Sequence, residues 1–260
     1  MSTREAAVAG MFYESDRYRL KAQVDALLNQ ATTQTATAPK VLIVPHAGYI
    51  YSGTTAAQAY RSLQAHQDEI KRVVLFGPAH RVYLNGMAVP SVNSFATPLG
   101  EIDLDRESIQ RIADLPGVII SDEAHHQEHS LEVQLPFLQS VLNDFTLVPV
   151  VVGDCKADLV AAVIDELWGG PETLVVISSD LSHFHTYDEA RQIDATTCGL
   201  ILDKVSNLSS DQACGAHAIN GLMRSKHCQA LTVDMLDACN SGDTAGDKNR
   251  VVGYGAFLLH

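Results

Sequence analysis

The sequence predicts an α/β fold: an α/β/α sandwich in which a central, mostly parallel or mixed sheet carries helices on both faces, formed by one domain over residues 1–260. Three observations predict it. Short apolar runs alternate with helix-patterned stretches along the whole chain, as in successive β/α units. The apolar runs lack polar alternation, so they belong to strands buried on both faces. There is no internal repeat and no dividing linker: "NQATTQTATAPK" (29–40) lies too early, and "NSGDTAGDKNR" (240–250) reads as a surface loop before a last strand.

In chain order the strands are "KVLIVP" (40–45), "RVVLFGP" (72–78), "GMAVP" (86–90), "FTLVPVVVG" (145–153), "ETLVVISSD" (172–180) and "RVVGYGAFLL" (250–259), each rich in Val, Ile or Leu. Helices are expected over Asp16 to Ala31, Thr54 to Gln67, Asp105 to Ala113, Leu131 to Asn143, Ala157 to Trp168, Asp188 to Ser206 and Asp211 to Ser225. Leu131, Leu135, Leu138 and Leu142 recur at helical spacing, and Pro136 should bend that segment or limit its first turn.

Composition excludes several functions. The 260 residues, 46% hydrophobic and 19% charged, can bury a sizeable core. Lys and Arg number 18 against 31 acids, a formal charge of −13, which argues against a nucleic-acid partner. Runs such as "TLVPVVVG" are far shorter than the roughly 18 to 20 apolar residues that cross a bilayer, and "MSTREAAVAGMF" contains no long apolar core, so neither membrane anchoring nor secretion is expected. Five cysteines without a CxxC pair suit reduced thiols in a cytoplasm.

The polar residues at strand ends carry the chemistry. Three strands run out into His46, into His80, and into Asp180, His183 and His185, which puts imidazoles and a carboxylate on the carboxyl edge, where ligands gather in such sheets. One strand-end histidine reads as a turn cap, whereas several on one edge point to a metal or acid/base site. His125, Glu128 and His129 match H-x-x-E-H, a zinc-hydrolase pattern when it lies on one helix. Here Ser130 reads as the N-cap of a helix starting after His129, which leaves the motif in a loop. Cys214, followed by Gly215 and with His217 three residues on, is either an exposed thiol or one packed near a helix start. No Walker lysine accompanies "HAGYIYSGTT"; Tyr49 and Tyr51 either face the site or pack under it; His66, His227 and His260 read as exposed.

The segments "AVAGMFY", "VPHAGYIYSG", "FGPAH", "FATPLGEIDLD", "QEHSLEVQLPFLQ", "SSDLSHF", "ACG" and "VVGYGAFLL" occur in the order found in Memo-like proteins, also called AmmeMemoRadiSam system protein B, and the chain resembles that family over nearly its whole length. The family is similar in fold to the class III extradiol ring-cleaving dioxygenases, whose iron sits at the edge of a central sheet. The resemblance implies that His46, His80 and Cys214 are metal ligands, with Cys214 where the dioxygenases use a carboxylate, that His183 is the acid/base, and that Asp180 and His129 line the pocket. It implies Fe(II) first, with copper or zinc as alternatives suited to a softer thiolate, and an oxygenase-type redox enzyme acting on a small molecule. A peptide- or anion-binding signalling module is the rival, a zinc hydrolase the third reading. A functional link to a radical enzyme follows from the group name.

Overall fold

Strands that are apolar on both faces need cover on both sides, and in the structure, a computed structural model describing residues 2–33 and 37–260, they form the centre of a mixed sheet. Residues 34–36 of the tract 29–40 lie outside the described residues. In chain order the elements are β1 (Thr3–Arg4), α1 (Arg17–Gln30), β2 (Val41–Val44), α2 (Tyr49–Arg61), β3 (Arg72–Pro78), β4 (Met87–Val89), β5 (Ser94–Thr97) and β6 (Gly100–Asp103). There follow α3 (Arg106–Ala113), β7 (Val118–Ile120), α4 (Asp122–His126), α5 (His129–Glu132), α6 (Leu135–Val141), β8 (Thr146–Val152) and α7 (Ala157–Leu167). The last are β9 (Thr173–Ser178), β10 (His183–His185), α8 (Tyr187–Leu202), α9 (Ala216–Arg224), β11 (Val233–Asn240) and β12 (Val251–Leu259).

The sheet runs β10-β12-β2-β9-β3-β8-β4-β7, with β11 also paired to β12. Its middle, β2-β9-β3-β8, is wholly parallel, so the chain leaves β2, β9 and β3 at one edge. Antiparallel β12 closes one side and β4 the other. Helices α1, α2 and α6 pack on one another, with α2 on β2, β11 and β12, while α7 packs on α9 and α3, with α9 on β3. This is the expected α/β/α sandwich with a mixed sheet.

Each predicted strand forms, 72–78 at full length and the others trimmed by one to three residues. The helix expected over Leu131 to Asn143 is divided into α5 and α6, with Pro136 in the first turn of α6, where its missing N–H costs nothing. At the break Gln134 turns its amide inward, donating to Pro45 O and Ser178 Oγ at 2.9 and 2.8 Å. Ser130 is not the N-cap; Glu128 is, its carboxylate accepting from Ser130 N at 2.9 Å. Helix α2 starts at Tyr49 rather than Thr54, because Tyr49 N already bonds to Phe12 O (2.8 Å). The helix expected from Asp211 starts at Ala216. A small sheet, β1-β5-β6, and the strands β7, β10 and β11 were not foreseen, being short or polar.

Gly77 in β3 shows why the layers close here. A Cβ at Gly77 would lie 2.7 Å from Ser130 Oγ and 2.8 Å from Leu131 Cδ2, so its absence lets α5 settle directly on the strand and brings His129 to the sheet edge.

Candidate metal centre

His46 follows β2 by two residues, His80 follows β3 by two, and β9 between them ends at Ser178 beside Asp180. His129 opens α5 and reaches the same point from above β3. The three imidazoles each offer a nitrogen, and these atoms all lie within 4.8 Å of one another. His80 and His129 are stacked at 4.6 Å, and His46 meets both edge-on at 5.2 and 5.5 Å. His46 is buried, His129 is half-buried, and His80 is the most open of the three.

Hydrogen bonds fix which nitrogen of His46 faces the group. The Ser178 hydroxyl donates its one proton to Ser130 O (2.6 Å) and accepts from Gln134 Nε2 (2.8 Å), whose identity as nitrogen is set by its second bond, to the acceptor Pro45 O. Ser178 Oγ therefore has only a lone pair left for His46 Nδ1, 2.8 Å away, so Nδ1 carries the proton and Nε2 presents its lone pair. His80 is held similarly. Its Nδ1 and backbone N donate to the two oxygens of Glu128 at 2.9 and 2.6 Å. His129 Nδ1 is buried and without a hydrogen bond, 3.4 Å from Glu128 Oε1 but not aligned with it.

Electrostatics keep His46 and His129 ready to bind. Burial first, and then the neighbouring His80 and His129, hold His46 well below the usual imidazole range; burial and His80 lower His129 likewise. Burial alone would raise the carboxyl of Glu128, but hydrogen bonds from His80 and Ser130 outweigh it and hold it at about 2. The lowered His46 and His129, the fixed tautomer of His46 and the orphaned ring nitrogen of His129 fit a divalent transition-metal ion.

Cys214 stands beside this group. Its Sγ is 3.4 Å from His46 Nε2 and accepts from Asp180 N at 3.3 Å, and burial pushes the thiol far up. Gly215 makes the approach feasible, since a Cβ there would lie 2.6 Å from Ser179 Cβ. Among the described residues, the group within 4.8 Å comprises the three histidines, so His129, expected only to line the pocket, lies in the cluster and Cys214 at its flank. Asp180 Oδ1 accepts from His46 N (2.7 Å), and burial raises its carboxyl. No hydrogen bond joins Asp180 to His183 among the described residues; His183 instead lines a cleft of about 640 Å³ with His80, His185 and Cys214.

The other marked residues serve the framework. His125 turns away, its Nε2 3.0 Å from Ala88 O, and H-x-x-E-H is split between α4 and α5, so its members do not share a helical face. His217 bonds Cys155 O rather than Cys214. Tyr49 packs under the site, its hydroxyl donating to Val133 O. His66, His227 and His260 are half-buried against Glu69, Trp168 and Asp234. Ser178, Gln134 and Phe12, whose ring lies 4.7 Å from His129, escaped the sequence reading. A Gln inside the apolar stripe of Leu131, Leu135 and Leu138 was the available signal, because a buried amide demands partners.

A family profile described as "Memo-like protein" matches residues 4–258. The chain is 34% identical over 270 residues to a MEMO1 family protein of Aquifex aeolicus, covering 98% of each chain. It is 34% identical over 280 residues to one of Methanosarcina mazei, covering all of both. Among solved structures, the uncharacterized protein JW3007 from Escherichia coli K12 superposes with a TM-score of 0.50 at 11% identity, over 82% of this chain and 98% of that one, a likeness of fold.

Proposed function

This chain belongs to the Memo-like family, and from that premise we propose that it is a metal-dependent redox enzyme of the oxygenase type, its ion held by His46, His80 and His129, with Cys214 as a further ligand. The observation that carries the reading is the convergence of three imidazole nitrogens within 4.8 Å at the carboxyl edge of a parallel sheet. Fe(II) comes first from the likeness to the iron dioxygenases, while nitrogen donors with an adjacent thiol suit copper or zinc as well; such an ion would supply Lewis acidity and, for iron or copper, one-electron chemistry. The chain's own residues do the rest. Ser178 and Glu128 keep the ring protons of His46 and His80 on the side away from the cluster. Asp180 ties down the backbone at His46, and His183, which lines the cleft, would carry a proton to or from a small-molecule substrate.

The test is metal content after anaerobic purification, with spectroscopy of the loaded protein. His46→Ala and His129→Ala should each lose most of the metal, and Cys214→Ser should remove a thiolate charge-transfer band. Equal metal in wild type and all three variants would overturn the reading.

A further inference from the structure

Away from the metal centre, a second cleft of about 370 Å³ opens between α8 and β11. Asp194, Cys198, Gly199 and Leu202 recur at helical spacing along one face of α8 and make one wall. Met235, Cys239 and Asn240 of β11 make the other, and no residue is shared with the cleft that contains His80 and His183. The groove is amphipathic along its length. Its floor is uncharged, because burial pushes the Cys198 and Cys239 thiols up to about 12 and about 11. One end carries the exposed apolar side chains of Leu202 and Met235, and the other carries acids.

Two features of α8 call for an occupant. The first is Asp194, only 8% exposed yet part of the groove wall. One of its oxygens accepts from Ser182 N at 3.0 Å. The Ser182 hydroxyl nearby makes no aligned hydrogen bond, and among the described residues no cation pairs with the carboxylate. Burial raises its carboxyl in spite of Ser182 and the neighbouring His183 and His185. Elsewhere in this chain a buried acid is compensated, Glu132 by Arg4 and Glu128 by His80. The nearby Asp243 is already engaged, accepting from Tyr187 OH and Asn240 N, and Arg191 at the rim lies over the Tyr187 ring, 5.7 Å from its centroid.

The second feature is Gly199. Glycine is a weak helix former, and inside α8 no close approach demands it, since a Cβ there would meet nothing within 4 Å. Its effect is to leave the groove open between the acid and the apolar end.

We propose that this groove is a second binding site, taking a small aliphatic amine whose ammonium group meets the Asp194 carboxylate and whose tail runs past Gly199 to Leu202 and Met235. An ammonium supplies the cation that the buried carboxylate lacks, whereas an anion would be repelled by it. From Asp194 to Leu202 the helix rises about 12 Å, a span suited to a straight chain such as that of octylamine. The site needs no metal at the histidine cluster.

The probes are octylamine and octanol, which share the chain and differ in the charge of the head, titrated at neutral pH into the full chain with 15N chemical shifts as the readout. Wild type should bind octylamine about tenfold or more tighter, the range of a hydrogen bond to a charged group. Asp194→Asn keeps an acceptor for Ser182 N and should bind the two probes equally. Gly199→Leu places its side chain in open space, so it should weaken both probes while keeping or raising Tm. No preference in wild type, a preference intact in Asp194→Asn, or octylamine binding unchanged in Gly199→Leu overturns the proposal.

Discussion

His46 Nδ1 lies 2.8 Å from Ser178 Oγ, and because that oxygen has already spent its proton on Ser130 O, the contact fixes the tautomer of the most buried ring in the cluster. Ser178→Ala should free the ring, leave Ser130 O without its donor, and weaken metal affinity roughly 10- to 100-fold, as losses of this kind do elsewhere. Competition titration with a zinc-selective chelator measures the affinity, and 15N NMR of the imidazoles reports the tautomer. A protein that keeps its Nδ1–H signal and its affinity would refute the assignment.

Glu128 links the cluster to acid stability. Its carboxyl is held at about 2 in the fold against an ordinary value near 4.5, so it binds its proton less readily folded than unfolded. A depressed carboxyl stabilises the fold fully above its unfolded value, and that contribution is lost as pH falls from about 4.5 towards 2. It amounts to on the order of 3 kcal/mol. Urea denaturation at pH 7, 4 and 2.5 should show a steeper acid loss in wild type than in Glu128→Gln.

Arg4 and Glu132 form a buried ion pair with every partner accounted for. Arg4 also donates to His125 O and Glu128 O, while Glu132 accepts from Ala7 N, Val8 N and Tyr13 OH. Arg4→Met strands a buried carboxylate and should cost about 3 to 5 kcal/mol, whereas the double variant Arg4→Met/Glu132→Leu should recover part of that loss. Equilibrium unfolding of both variants decides it; equal stabilities would show that the pair is not coupled.

Gly77→Ala inserts a methyl group where Ser130 Oγ and Leu131 Cδ2 already stand within 2.8 Å. The expected loss is about 1 to 3 kcal/mol, typical of overpacking. Because α5 must lift and carry His129 with it, bound metal should fall as well. Full metal occupancy in a destabilised Gly77→Ala protein would mean that His129 is not held through this contact.

The sheet was largely legible because its signals are local. "VLIV", "RVVLFGP" and "TLVVIS" announce buried strands by their own composition, and His46, His80 and Asp180 follow from where those strands stop. Strand β11, "VDMLDACN", was missed because it is polar and edge-placed, taking its conformation from pairing with β12. The α5–α6 break was only half visible, for Pro136 signals it whereas the inward turn of Gln134 depends on Pro45 and Ser178 in distant strands.

By itself, then, the sequence determined the β/α alternation and the histidines that the strands deliver to one edge, since hydrophobic periodicity and chain direction are written residue by residue. Only the tertiary structure decided that His129 joins His46 and His80 while Cys214 flanks them, and that Asp194 is buried in the wall of the groove between α8 and β11. Those outcomes rest on contacts between segments far apart in the chain, α5 against Gly77, Gly215 against Ser179 and Asp194 against Gly253. No local pattern encodes the distance between two such segments; close packing sets it.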